Sequence, residues 1–348
     1  MELVSNFSNR MGGVMTFIAN RDFLLEVAKG KIPRHSAFFI NAYASDVGTG
    51  DYPQTIWPEK GVLYVPPTEP RLHDVASDDA ADVGEVRTSG TATGGSQTTL
   101  VDSGALFTLT VSVGDAVIND TTYEHSIVTA VTDTTLTTEA TRHSGLLAAN
   151  GDAYRIVRAT STGASFVHIH YLDDDFVWGE EFVVMNGISN VATVAEMWRI
   201  NIMHIDGAAS RDATNVGKIT ATAQTDGTVT ASIEEATGHA AQAFFTVPSN
   251  KTGYLVMAKA DASRRTTTSD ATTEFEMWMV PHARSGKSGS RRVDVAGLNL
   301  RGTSRINEQY LLPLELLSET DLEIRIVYVS DSNMKLMAGL GIILVDNE

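Results

Sequence analysis

The chain has 348 residues, of which 43% are apolar and 20% charged, so it is long enough to bury a large core and is not a disordered polyelectrolyte. Its 26 basic and 43 acidic side chains give a formal net charge of −17, without the basic stripe that nucleic-acid binding needs. The lack of cysteine excludes disulfide scaffolds, thiolate metal sites and thiol nucleophiles. No apolar run approaches the ~18 residues of a membrane span, and the first residues lack the order of a signal peptide.

The first predicted elements are a short helix and an extended arm, which together make up residues 1–84. Asn20 is a good helix N-cap, and Gly30 followed by Pro33 ends the helix after about ten residues. The segment 31–70 is rich in proline, which cannot donate the ladder hydrogen bonds of a central strand. We therefore predict that it is an extended arm that joins the main body and packs along a neighbour.

Residues 85–160 differ in composition from what precedes and follows them. They open with the Gly/Thr/Ser-rich stretch TSGTATGGSQTTLVDS and continue as short alternating runs that end at Gly, Asp or Asn. This pattern predicts a small inserted β module with its own strands, which projects from the body and is only marginally stable alone.

Residues 161–348 carry the strongest strand signal. The clearest hairpin is KITATAQTDGTVTASIEE, with the odd-numbered residues from 219 to 223 on one face, and Asn186-Gly187 is a second hairpin signal. LEIRIVYVS alternates as a strand with one wet face does. Eight or more strands in this segment predict a jelly-roll-like β-sandwich body, so the fold class is all-β.

His168 and His170 are the candidate metal ligands. They are two residues apart in a predicted strand, so their imidazoles face the same way. Neutral imidazoles ligate transition metals, and three copies of the chain around a trimer axis would supply six nitrogens. The alternative is a pair of half-buried sheet histidines without metal, since no third ligand has a diagnostic spacing. The sequence predicts no catalytic residue and no other cofactor.

The segment PHARSGKS invites comparison with a phosphate-binding loop. Pro281 stands where that motif needs its first glycine, and the residues after Ser288 predict a strand instead of the required helix. We therefore interpret it as a basic hairpin loop that can contact an acidic neighbour.

An acidic segment follows the two histidines. Residues 173–175 with Glu180 and Glu181 lack the spacing of a calcium loop, which favours a solvated loop. Carboxylates near Trp178 or Trp198 leave a glycosidase as an alternative, although the sequence offers no test of carboxylate separation.

Four phrases resemble a family of virion structural proteins of tailed phages, notably phages of marine bacteria. In chain order they are KIPRHSAFFINAYASDVGTGDYPQTIWPEKGVLYVPP, EEFVVMNGISNVATVAEMWRINIMHI, VGKITATA and AQAFFTVPSNKTGYLVMAKA. They span about 31–260, and the segment 85–160 that interrupts them is similar to small β modules inserted into many phage surface proteins. The resemblance implies a non-enzymatic, oligomeric component of the particle, on the capsid exterior or on the tail.

Within that family we expect a capsid decoration (cement) or head-fibre protein. The proline-rich arm suits clamping onto a shell lattice, and the chain lacks the repetitive shaft of long tail fibres. A tail-fibre or receptor-binding adhesin is the first alternative, and a virion-associated carbohydrate-degrading enzyme is the second. The expected location is the exterior of the phage particle, after assembly in the host cytoplasm.

The expected partners are further copies of the chain and other virion proteins such as the major capsid protein. The apolar residues of the arm need cover, which predicts a homo-oligomer; they are Phe38, Phe39, Tyr43, Ile56 and Trp57. A trimer is favoured by analogy with phage fibres and decorations. The module at 85–160 is a possible contact to the host surface, and neither nucleic-acid binding nor membrane insertion is expected.

Overall fold

The computed structural model describes residues 26–32, 34–47, 53–59, 63–141, 147–158, 162–207, 214–264, 271–281, 291–300, 303–330 and 334–347. The protein is all-β, as predicted. Helical structure in the described residues is confined to residues 26–28 and a 3₁₀ turn at Phe107–Leu109. None of the described helices has the length and apolar character that crossing a membrane requires.

The strands are antiparallel throughout and are numbered in chain order. The first twelve are β1 His35–Val47, β2 Gln54–Thr55, β3 His73–Ser77, β4 Glu85–Thr91, β5 Gly94–Ser96, β6 Thr99–Val101, β7 Ala116–Asn119, β8 His125–Val131, β9 Thr135–Thr138, β10 Ala153–Arg158, β11 Phe166–Leu172 and β12 Trp178–Val184. The others are β13 Val191–Ala192, β14 Arg199–Gly207, β15 Ile219–Ala223, β16 Val229–Ile233, β17 Phe244–Thr246, β18 Lys251–Arg264, β19 Ala271–Val280, β20 Arg291–Leu300, β21 Thr303–Leu316, β22 Asp321–Val329 and β23 Met334–Asp346.

The chain divides into two compact units. The first unit consists of Met1–Thr68, Asp175–Val177 and Ala241–Glu348, and the second of Glu69–Asp174 and Trp178–Ala240. We call them the jelly-roll unit and the inserted unit. The predicted body at 161–348 differs from this division, because strands β11 to β16 belong to the inserted unit while β1 belongs to the jelly-roll unit.

Eight of the described strands make up the strand orders of the two sheets of the jelly-roll unit, and the short β2 pairs with β22 beside them. One sheet has the order β1-β23-β18-β21 and the other has the order β17-β22-β19-β20. If these eight strands are numbered one to eight along the chain, the sheets have the orders 1-8-3-6 and 2-7-4-5. This alternation of strands between two antiparallel sheets is the jelly-roll topology. The inserted unit enters between the first and second of these strands.

The two sheets meet through apolar side chains. The Phe38 ring of β1 lies 5.9 Å from the Phe245 ring of β17, and alternate residues of β22 from Leu322 to Ile326 are fully buried. The other face of β22 was predicted to be wet, and this is wrong at Glu323, which is buried. The reason is that β2 pairs with β22 and Thr55 donates a hydrogen bond to the Glu323 carboxylate.

The predicted arm is partly wrong, because much of it is folded into the jelly-roll unit. Residues 35–47 form β1, an edge strand that lies between Pro33 and Pro53 and contains no proline, so none of its backbone N–H donors is missing. Ile56 and Trp57 are buried by their own unit and need no neighbour, whereas Phe39 is 70% exposed. Phe39 is therefore the main residue of this set that contact with another subunit would still have to bury.

The predicted amino-terminal helix lies largely outside the described residues, as do Asn20 and Pro33. Residues 26–28 are helical, and Gly30 has a φ of +65°, the left-handed conformation in which helices often end. The basic residues of the PHARSGKS loop also lie outside the described residues, but the strand expected after it is present as β20.

The inserted unit contains three sheets. The segment 85–158 forms a seven-stranded sheet of order β4-β10-β7-β8-β9-β6-β5 around a core that includes Leu100, Phe107 and Leu136. The other sheets have the orders β12-β11-β14 and β13-β3-β15-β16. The predicted module boundaries enclose a sheet, but side chains of β7 and β10 pack against Phe166 and Phe182 of the rest of the unit.

The two hairpin predictions have different outcomes. β15 and β16 pair as predicted, Gly227 supplies the positive φ of the turn, and the odd-numbered residues of β15 are buried. The Asn186-Gly187 hairpin is wrong. Gly187 does turn the chain with a φ of +58°, but β12 pairs with β11 and β13 pairs with β3.

Candidate functional site

The register of β11 with its two neighbours brings three histidines and two carboxylates to one face of the sheet. His168 lies opposite His204 of β14, and His170 lies opposite Glu180 of β12. Directly opposed residues of antiparallel strands point to the same face, and Asp206 follows His204 at the next position on that face. We call His168, His170, Glu180, His204 and Asp206 the histidine cluster.

The carboxylates of the histidine cluster are shared between its rings. Asp206 Oδ2 lies 3.0 Å from His168 Nδ1 and 2.9 Å from His204 Nε2. Glu180 Oε2 lies 3.0 Å from His168 Nε2, and Glu180 Oε1 lies 3.6 Å from His170 Nδ1. His168 is therefore held on both sides by carboxylates, whereas His170 Nδ1 is buried and makes no hydrogen bond within the described residues.

Burial decreases across the site from a closed base to an open rim. His168 is 1% exposed and Asp206 is nearly as buried, while Glu180 reaches 29% and His170 and His204 lie between these values. The base of the site is thus enclosed by its own chain, and the rim admits solvent or a hydrated ion.

Charge is concentrated in the histidine cluster. Burial opposes ionisation of Glu180 and Asp206, but the bonds from the histidines outweigh it and hold both carboxyl pKa values well below their usual range. Burial also opposes the charged form of His168, yet its bonds to Asp206 and Glu180 raise the pKa of that ring. Burial lowers the pKa of His170, which is therefore neutral at pH 7.

Aromatic rings hold the histidines in place. Phe182 stacks on His168 with ring centroids 4.1 Å apart, and Trp178 lies 5.6 Å from His170. The His170 and His204 rings are nearly parallel at 5.3 Å. Such packing limits ring rotation, so the ring nitrogens stay near one another without a ligand.

The predicted pair His168 and His170 does share one face, but the sequence prediction missed most of their neighbours. His204 and Asp206 were not predicted, and Glu180 was assigned only to an acidic loop. His125, whose Nε2 lies 3.9 Å from Asp206 Oδ1, was also missed. The alternation in EMWRINIMHID places His204 and Asp206 on one strand face, but no sequence spacing shows that this face is the one opposite His168.

The acidic residues predicted to form one loop lie partly in a loop and partly in strand β12. Asp174 and Asp175 are exposed, whereas Glu180 and Glu181 are successive residues of β12 and point to opposite faces. The Glu181 carboxylate accepts hydrogen bonds from the backbone N–H groups of Val194 and Ala195 at 2.8 and 3.0 Å, which is a structural role.

The histidine cluster has the donor set of a metal centre. One ring nitrogen from each of its three histidines lies within 4.8 Å of the others. All three imidazoles come from one chain, so a trimer axis is not needed to bring three nitrogens together.

Comparisons with known proteins leave the family open. No family model matches the chain, and no curated protein matches it. Among solved structures, the chain was matched to the 2.6 Å structure of infectious bursal virus derived T=1 particles, at 10% identity over 90% of this chain and 70% of that chain. The TM-score of that match is 0.19, which is too low to carry any argument.

Proposed function

We propose that this chain is a non-enzymatic structural protein of a tailed-phage particle, on the particle exterior as a capsid decoration or head-fibre protein. The observation that carries the proposal is the jelly-roll topology of the unit formed by β1 and β17 to β23. Jelly rolls recur in viral capsid proteins, although lectins and cupins also use them. Fold supports the class of protein only by analogy, so the sequence resemblance is the second support.

The phrases that carry the resemblance coincide with framework strands. KIPRHSAFFINAYASDV contains β1, VGKITATA contains β15, and AQAFFTVPSNKTGYLVMAKA contains β17 and most of β18. Most alternate side chains of these strands are buried. A resemblance that lies in framework strands fits a protein whose family shares an architecture, which suits a particle component.

The proposal includes self-association, with the trimer as the expected state. Phe39 projects from the outer face of the edge strand β1, and Met337 of the neighbouring strand β23 is exposed on the same face opposite Tyr43. Exposed apolar side chains that share one face at a sheet edge are suited to contact with a second copy or with a capsid protein.

Immunogold labelling of purified phage particles tests the location. Antibodies against the purified chain should label the shell. Labelling of the tail tip would favour the adhesin, and absence from purified particles would contradict the proposal. A screen of the purified protein for polysaccharide cleavage separates the enzyme alternative, which requires turnover that the structural proposal does not predict.

Light scattering of the purified chain tests self-association. We expect a trimer at micromolar concentration and expect Phe39→Asp to dissociate it, because a charge cannot be buried in an apolar contact without a partner. Val65→Asp, at an exposed apolar residue elsewhere in the jelly-roll unit, is the matched control and should leave the mass unchanged. A wild-type monomer at this concentration would contradict this part of the proposal.

A further inference from the structure

We propose that the histidine cluster binds one divalent first-row transition-metal ion of the zinc class per chain. His168, His170 and His204 supply imidazole nitrogens, and Glu180 supplies an oxygen at the rim. This inference is independent of the proposed particle function, since it concerns a site within a single chain.

The first support is the orientation of the rings. Asp206 accepts hydrogen bonds from Nδ1 of His168 and Nε2 of His204, so once each ring is neutral its opposite nitrogen carries the lone pair. For His168 that nitrogen is Nε2, which would exchange its contact with Glu180 Oε2 at 3.0 Å for the ion. Histidines that ligate metals regularly donate their other nitrogen to a carboxylate in this way. Asp206 is therefore a positioning residue, which fixes the tautomer and direction of two ligands.

The second support is an incomplete hydrogen-bond set. His170 Nδ1 is buried, and its nearest carboxylate oxygen among the described residues, on Glu180, is 3.6 Å away, beyond hydrogen-bond distance. Buried polar atoms are nearly always satisfied, so an unsatisfied ring nitrogen beside two more imidazoles needs a partner. A metal ion supplies one for it.

The third support is the fit of distance and charge. Two nitrogens bound to one zinc ion lie at most ~4.2 Å apart, twice the usual bond length, so a ligand set within 4.8 Å needs only small ring movements to close. The half-buried positions of His170 and His204 leave space for such movement. Glu180 and Asp206 also bring two negative charges, which favour a dication in the site.

The donor chemistry selects the class of ion. Imidazole nitrogens with one carboxylate suit zinc, copper, nickel or iron, whereas calcium and magnesium prefer sites made of oxygens. Since the donors come from three neighbouring strands of one sheet, we assign a structural role in which the ion links β11, β12 and β14.

The test is a titration of the full-length, untagged chain after treatment with EDTA. Isothermal calorimetry with Zn²⁺ should show one saturable site per chain, and an excess of Zn²⁺ should raise the melting temperature because the ion binds the folded state. Co²⁺ should give the intense visible d–d bands of a four-coordinate site with three nitrogens and one oxygen, while Ca²⁺ should bind elsewhere or not at all. A stoichiometry of one ion per three chains would overturn the intrachain assignment.

Variants locate the binding. His170→Gln and His204→Gln should each weaken Zn²⁺ affinity at least tenfold and remove the Co²⁺ bands, and Asp206→Asn should weaken it by about 10- to 100-fold. His239→Gln is the matched control, because His239 is exposed and its backbone bridges to that of His204. If a variant fails to fold, the Co²⁺ spectrum of the wild-type chain still tests whether the cluster binds a metal ion. No saturable Zn²⁺ binding, or equal affinity in His204→Gln and His239→Gln, would overturn the proposal.

Discussion

Asp82 and the histidine cluster lie in the same unit and are both buried, yet the chain completes their hydrogen bonds to different degrees. Asp82 Oδ1 accepts the backbone N–H groups of Ala164 and Val216 at 2.7 and 2.9 Å. Its Oδ2 accepts the Ser77 hydroxyl at 2.6 Å and the Gly217 N–H at 2.9 Å. A carboxylate has about four acceptor positions, so the protein satisfies Asp82 fully.

The hydrogen bonds of the histidine cluster are less complete. Two carboxylates serve three histidines, and His170 Nδ1 is left without a hydrogen bond among the described residues. The comparison separates two uses of buried polar groups. A complete set such as that of Asp82 joins loops and stabilises the fold, whereas an incomplete set has the capacity to hold a ligand.

The largest effect is expected when Asp82 is removed. Asp82→Ala leaves three backbone N–H groups and a hydroxyl without their acceptor, at a site where the Asp82 side chain is fully buried. We expect the inserted unit to lose about 4 kcal/mol of stability, measured as the free energy of unfolding in urea.

Asp78→Asn is the matched control for this variant. Asp78 belongs to the same loop but is exposed, and its Oδ1 accepts one backbone N–H, that of Lys218. We expect its effect to stay below about 1 kcal/mol. If the two variants lost similar free energy of unfolding, the burial of Asp82 and its four hydrogen bonds would add no stability beyond that of an exposed aspartate.

A smaller effect is expected from His73, a second buried residue whose hydrogen bonds are incomplete among the described residues. Neither ring nitrogen of this buried residue of β3 has a partner at normal hydrogen-bond geometry among the described residues, and burial lowers its pKa from 6.5 to about 4. Its folded pKa is depressed, so the stability is fully present above pH 6.5 and is lost as the pH falls toward 4. We expect His73 to account for a loss of about 2 to 3 kcal/mol between pH 7 and pH 4.5.

Urea unfolding at both pH values measures this loss. In His73→Leu the free energy of unfolding should fall less with acid than in the wild type, because Leu cannot take up a proton. His239→Leu, at an exposed histidine, should keep the wild-type pH dependence. An unchanged pH dependence in His73→Leu would show that His73 does not titrate in this window.

The fold was predictable where a pattern is local. Alternation in KITATAQ and the Asp226-Gly227 turn specify β15 and β16, and strand-rich segments specify an all-β chain. The division into units was not predictable, because β1 pairs with β23 across almost the whole chain. The prolines of this segment predict that it holds no central strand, and β1 is indeed an edge strand, but the proline-free stretch between Pro33 and Pro53 still forms a strand of 13 residues.

The candidate site was predictable only within one strand. The period of two in a β-strand places His168 and His170 on one face. Their contact with His204 and Glu180 depends on the register of β11 with two other strands, and many registers satisfy the same periodicity. The negative charge of the cluster was therefore not predictable from the sequence either, since only strand pairing brings Asp206 next to His168.

The smallest effect is expected at Glu323, a buried residue of the jelly-roll unit whose two carboxylate oxygens both accept hydrogen bonds. Arg325 Nε donates to Glu323 Oε2 at 2.8 Å and Thr55 donates to Oε1, yet burial still raises the pKa of Glu323. In Glu323→Gln the side chain keeps an acceptor, and relief from burying a charge offsets the weaker bond to Arg325. We expect a change below about 1 kcal/mol in urea unfolding at pH 7. Because the folded pKa is raised, the wild type gains stability on acidification, so any advantage of the variant should shrink as the pH falls. A loss of about 3 kcal/mol or more at pH 7 would instead mean that the ion pair itself holds β2 against β22.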